Sequence, residues 1–91
     1  MFSGIISEMG RIISINSQKK SVLRIEIAAP KIAGTQRIGD SISIDGICLT
    51  VVSVSLNSFS VEAMPETIDV TTLSLWKQGH FVNLEPALKF G

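Results

Sequence analysis

GDSISIDGICLTV, residues 39–51, holds two β-strands and the turn that joins them. Ile42 and Ile44 alternate with Ser41, Ser43 and Asp45, and Ile47, Leu49 and Val51 alternate with Cys48 and Thr50. Period-two alternation marks a half-buried strand, because successive side chains leave opposite faces of the sheet. Asp45-Gly46 predicts a two-residue type I′ hairpin, since that turn needs positive φ at both central residues. Such a turn sets the register: Ile44 opposite Ile47, Ser43 opposite Cys48, Ile42 opposite Leu49, Ser41 opposite Thr50. The aliphatic side chains then share one face, and the hydroxyls and the thiol share the other.

Upstream, Ile5 to Ile15 predicts a first strand, bent near Met9-Gly10, and Asn16 to Lys20 a polar turn. Ser21 to Ala28 predicts a second strand, with Leu23, Ile25 and Ile27 facing one way and Arg24 and Glu26 the other. Pro30 ends it, since proline cannot donate to a ladder. Lys31 to Ile38 is a connection with room for one helical turn. Downstream, the inward set Ile47, Leu49, Val51, Val52, Val54, Leu56 slips phase at Val51-Val52, which predicts a bulge or a bend there. A turn at Asn57-Ser58 pairs Leu56 with Phe59 and brings Met64 alongside Thr50. Phe59, Val61 and Ala63 then face inward, and Ser60, Glu62 and Met64 outward. Pro65-Glu66-Thr67-Ile68 opens a short helical turn, with proline tolerated at its start. Lys77-Gln78-Gly79 is a turn, and Phe81 to Leu84 a sixth strand ended by Pro86. Six short strands with turn signals at roughly ten-residue intervals predict an all-β antiparallel barrel or sandwich.

The chain has 91 residues, enough for one domain over residues 1–91. Its formal net charge is zero, and Lys19-Lys20 is its longest basic run, which argues against a nucleic-acid partner. No segment is long and apolar enough to span a bilayer, so no membrane partner is expected. No basic stretch followed by an apolar core marks a secretory leader, and the single cysteine suits a reducing compartment, so a cytoplasmic location is expected.

One His and one Cys cannot build a multi-ligand metal site, and no glycine-rich phosphate loop is present. Glu62 and Glu66 are near each other, but most acidic residues are simply solvated. His80 follows a turn glycine and reads as a surface histidine. The outward set is more specific: Ser41, Ser43, Cys48, Thr50, Met64 and Thr67 form a patch of hydroxyls, a thiol and a thioether. A β-surface chosen for propensity would explain the Ser and Thr. A platform for a flat, polar ring explains them equally, because a hydroxyl can bond donors or acceptors. Such a platform lies outside the barrel, whose interior the isoleucines and valines must fill. A lone cysteine is more often a packed small hydrophobe than a nucleophile, and no basic neighbour in sequence supports a thiolate at Cys48.

Met1-Phe2-Ser3-Gly4-Ile5, GDSISIDGICLTV at 39–51, MPETIDVTTL at 64–73 and GHFVNLEPALKFG at 79–91 together resemble the N-terminal lumazine-binding domain of the riboflavin synthases of α-subunit type. The resemblance implies a six-stranded antiparallel Greek-key barrel, the N-terminal half of a parent enzyme whose C-terminal barrel is absent from this sequence. It implies a dismutation in which one 6,7-dimethyl-8-ribityllumazine gives a four-carbon unit to another, yielding riboflavin and a ribitylaminouracil. No cofactor or metal is implied; lumazine or riboflavin, a pteridine or flavin, is the bound small molecule. The resemblance places Gly4, Ile5, Ile6, Cys48, Leu49, Thr50, Glu62, Ala63, Met64, Pro65, Glu66 and Thr67 at the ring, with Cys48, Ser41 and Phe2 as candidates for the catalytic step. The family assembles as a homotrimer, each active site lying between barrels of neighbouring chains. An isolated domain is therefore expected to bind with little turnover and to pair as a homodimer. A non-catalytic lumazine or flavin carrier is the alternative, and a small barrel recognising a protein or an oligonucleotide a more distant one.

Overall fold

The structure is a computed structural model that describes residues 7–88. Its strands are Glu8–Ser17 (β1), Leu23–Ala28 (β2), Ser41–Ile44 (β3), Ile47–Val54 (β4), Ser58–Ala63 (β5) and Phe81–Pro86 (β6), with one short helix, Pro65–Val70 (α1). They close into a barrel in the order β1-β2-β5-β4-β3-β6, with every pair antiparallel. Hairpins join β3, β4 and β5, and β2 lies beside β5, which is the Greek-key arrangement. Closure leaves no free sheet edge among these strands.

The β3–β4 hairpin has the expected register at all four pairs, from Ser41 opposite Thr50 to Ile44 opposite Ile47. Asp45 and Gly46 take φ of 49° and 83°, the left-handed values a type I′ turn demands. Asp45 also fastens the barrel: the Asn83 N–H donates to its Oδ1 at 2.6 Å, and its own N–H donates to the Asn83 carbonyl at 2.8 Å. The turn therefore shapes one hairpin and ties it to β6.

The second hairpin differs from expectation. Val54, not Leu56, pairs with Phe59, and the turn tip is Leu56-Asn57. Ser55 and Ser58 close it, with the Ser55 N–H donating to the Ser58 carbonyl at 2.8 Å and the two Oγ atoms 2.7 Å apart. Two hydroxyls that can bond across the turn outweigh burial of Leu56, which is 84% exposed. A bulge does lie where the phase slips: the β4–β5 register shifts between Val51 and Ser53, so Val52 has no opposite on β5. Thr50 faces Glu62 rather than Met64. In β1 the irregularity falls at Ile13, between Ile12 and Ser14, and not at Met9-Gly10. Gly10 serves close packing instead: a Cβ there would lie 2.6 Å from Leu84 Cδ1 and 2.7 Å from Ile27 Cγ2. The expected start of β1 at Ile5 lies outside the described residues; β2 begins at Leu23 and β6 extends to Pro86.

Ile25, Ile27, Ile42, Ile44, Val51, Phe59, Val61 and Leu84 fill the interior, each 1% exposed or less. Both barrel ends are plugged. At one, Leu73 is buried, with Ile68 and Trp76 packed on the core; the Thr71 hydroxyl accepts the Leu73 N–H at 3.2 Å to start that turn. At the other, Ile32 and Ala33 are buried, and the Glu8 carboxylate accepts the N–H groups of Lys31 and Ile32 at 3.2 and 2.9 Å. Among the described residues, the interior is filled by these side chains and leaves no room for a ligand inside the barrel.

Candidate functional site

Alternation along β4 sends Cys48 and Thr50 outward, the bulge puts Val52 on the same side, and β5 sends Glu62 out beside Thr50. At the end of β5 the chain turns into α1. Pro65 occupies the first helical turn, where its missing N–H costs nothing, and Glu66 lies in the same turn beside the positive end of the helix. This turn lays Met64 and Thr67 over the sheet. The result is a cavity of about 370 Å³ lined by Cys48, Leu49, Thr50, Val52, Glu62, Met64 and Thr67. A second hollow of about 270 Å³ lies away from it, lined by Arg11, Ile12, Ile13, Ala28, Gln78 and Gly79.

The larger cavity carries the chemistry. It presents a thiol, two threonine hydroxyls and a carboxylate beside Leu49, Val52 and Met64. Cys48 and Thr50 are exposed, and among the described residues neither side chain has a hydrogen-bond partner. The Glu62 carboxylate lies 4.0 Å from Arg24 of β2, with side-chain exposures of 29% and 41%. So solvated a pair holds at best about 1 kcal/mol, leaving Glu62 free to accept from a ligand. Apolar contacts with a few convergent polar groups are what a small-molecule site needs.

Six expected ligand residues therefore meet at one place: Cys48, Leu49, Thr50, Glu62, Met64 and Thr67. Leu49 and Ala63 point their side chains into the core, 5% and 0% exposed, so both can serve a ligand chiefly through backbone groups. Ser41 is the cross-strand neighbour of Thr50, one strand outside the cavity. Pro65 and Glu66 belong to α1 at its edge. Phe2, Gly4, Ile5 and Ile6 lie outside the described residues. Val52, which pattern reading assigns to the inward set, lines this cavity; Val54 and Leu56 of the same set are exposed as well. His80 is exposed, as expected, and lines neither hollow. Among the described residues no cluster of three His, Cys, Asp or Glu side chains is placed to hold a metal. Nor is any helix among them long and apolar enough to cross a membrane.

The sequence profile of the lumazine binding domain matches residues 3–87. Riboflavin synthase of Bacillus amyloliquefaciens is 46% identical over 88 residues, which cover 97% of this chain and 40% of that protein. Riboflavin synthase of Saccharomyces cerevisiae is 38% identical over 94 residues, with the same two coverages of 97% and 40%. In fold, the chain is similar to LumP complexed with riboflavin, with a TM-score of 0.88 and 32% identity, covering 100% of this chain and 49% of that one. LumP complexed with dimethylribityllumazine gives 0.86 and 33%, covering 100% of this chain and 50% of that one. The chain thus spans about 40% of the length of these two riboflavin synthases.

Proposed function

Because the chain belongs to the lumazine-binding domain family, we propose that its outer wall binds the ring of dimethylribityllumazine or riboflavin and supplies half of a riboflavin synthase site. The observation that carries this reading is the cavity on β4, β5 and α1, lined by six residues expected from sequence. In it, Thr50, Thr67 and Glu62 offer acceptors and donors to a polar ring and a ribityl chain, and Val52 and Met64 offer apolar contact.

The reaction so assigned joins two lumazines. The methyl group on C7 of a lumazine is acidic because its anion delocalises into the ring. One molecule gives up a four-carbon unit and the other takes it, so the exchange is redox-balanced and the proposal includes no metal or redox cofactor. Holding two reactants face to face accounts for most of the rate gain, since orientation alone is worth roughly 7–11 kcal/mol in well-aligned cases. Cys48 assists proton transfer or nucleophile addition near C7, with Thr50 or its cross-strand neighbour Ser41 as the accompanying hydroxyl. Phe2 is the third candidate for that step. The second lumazine needs a second barrel, so the chain by itself binds ligand and turns over little.

The test is a fluorescence titration followed by a turnover assay. Riboflavin emission is expected to be quenched saturably at tens of micromolar protein; no quenching would overturn the binding reading. Addition of a C-terminal barrel from a riboflavin synthase is then expected to give riboflavin from dimethylribityllumazine. Binding without turnover in that mixture would favour a carrier, a reading supported by LumP, which holds lumazine, riboflavin and flavin mononucleotide in its solved complexes.

The same proposal includes self-association. Met9, Ile13 and Phe81 on neighbouring β1 and β6 are 61%, 39% and 64% exposed, with the Arg11 guanidinium 5.9 Å from the Phe81 ring centre, a surface that a second copy can cover. Sedimentation equilibrium at micromolar concentration is expected to give twice the 9.8 kDa chain mass. A monomer there would contradict it.

A further inference from the structure

We infer that Val52 is a specificity-determining residue, closing one end of the cavity and setting the length of the fused ring it accepts. The inference rests on the binding reading above and goes beyond it, because that reading does not choose between two fused rings and three.

The bulge is the physical basis. Between Val51 and Ser53 the β4–β5 ladder gains one residue on β4, so Val52 has no partner across it. An unpaired residue bends its strand and re-aims the side chain. Val51 stays in the core, fully buried, while Val52 is half-buried and lines the cavity with Thr50 and Cys48. Beyond the bulge the strand leaves the cavity: Ser53 pairs with Ser60, and Val54 with Phe59, and none of these four lines it. Val52 is thus the lining residue farthest along β4 from Met64 and Thr67. From Cys48 to Val52 the strand rises about 13 Å. At the helix end the wall is Met64, a flexible thioether that can yield. At the Val52 end it is a β-branched side chain, stiff at χ1 and seated on a bulge. A ring lying along β4 therefore meets a soft stop on one side and a hard one on the other.

Pteridine and flavin differ in this dimension. A flavin is longer than a lumazine by one fused, dimethyl-bearing ring, and both carry the same ribityl chain. Volume removed at the hard stop should favour the longer ring, and volume added there the shorter one. In apolar pockets a single methylene changes discrimination by roughly tenfold or more. Other lining changes would weaken both ligands together.

The experiment is a pair of titrations, riboflavin and dimethylribityllumazine, on the unmodified chain, Val52→Ala and Val52→Ile. Val52→Ala is expected to shift the affinity ratio toward riboflavin by about fivefold to tenfold. Val52→Ile is expected to shift it toward lumazine, and it keeps the β-branch, so it serves if the alanine variant folds poorly. Binding of both ligands with a ratio unmoved by either substitution would overturn this inference and leave the binding reading standing. Failure of the unmodified chain to bind either ligand would overturn both.

Discussion

Replacing Thr50 by tryptophan is expected to lower riboflavin affinity at least about a hundredfold, a loss of ~2.7 kcal/mol or more, with the barrel still folded. Thr50 is the middle of the outward row Cys48–Thr50–Val52, exposed, and opposite Glu62. An indole there fills the cavity between β5 and α1 and removes one of its hydroxyls. Tryptophan is at home on a half-exposed strand, so the backbone has no reason to change. A circular dichroism spectrum and melting temperature close to those of the unmodified chain would show that the loss is local. Retained affinity would place the ligand elsewhere.

The second large effect is on stability. Among the described residues Phe59 is the largest fully buried side chain, 1% exposed, and it lies in the ladder between Ile27 of β2 and Val54 of β4. Phe59→Ala is expected to cost about 3–5 kcal/mol, the transfer of a ring plus the cavity it leaves. Domains of this kind hold only about 5–15 kcal/mol in all, so the variant should sit close to its unfolding threshold. Urea denaturation should show a lower midpoint with an unchanged slope. A cost under about 1 kcal/mol would mean that the interior is not the packed layer described.

Those two residues illustrate what the chain makes legible. Phe59 and Thr50 occupy faces that alternation assigns, and alternation is a local rule. The Asp45-Gly46 turn is legible for a stronger reason: few dipeptides take two positive φ values cheaply, so the turn type, the loop length and the register come together. Glu62, Met64 and Thr67 reach the cavity through the proline that ends β5 and opens α1, which is again a local signal. Pattern alone puts Met64 and Thr67 in the outward patch; the expectation that Glu62 meets a ligand rests on resemblance to a family.

What escaped reading is non-local. Val51-Val52 is an apolar doublet, and both valines suit the inside equally; only pairing with β5 shows that the extra residue leans out. By hydropathy Leu56 reads as the last core residue of β4, but the Ser55–Ser58 closure leaves it at the turn tip. Gly10 carries no turn signal, since its role is to admit Leu84 and Ile27 from two other strands. Asp45 reads as a turn residue, and nothing nearby announces its bond to the Asn83 N–H, 38 residues away. Each of these depends on how the barrel closes, which no single stretch encodes.

The most direct measurement is amide chemical-shift mapping as riboflavin is titrated into the isotopically labelled chain. The account predicts that Cys48, Thr50, Val52, Glu62 and Met64 shift together and saturate along one curve. Largest shifts at Arg11, Ile13, Ala28, Gln78 and Gly79, around the other hollow, would contradict it.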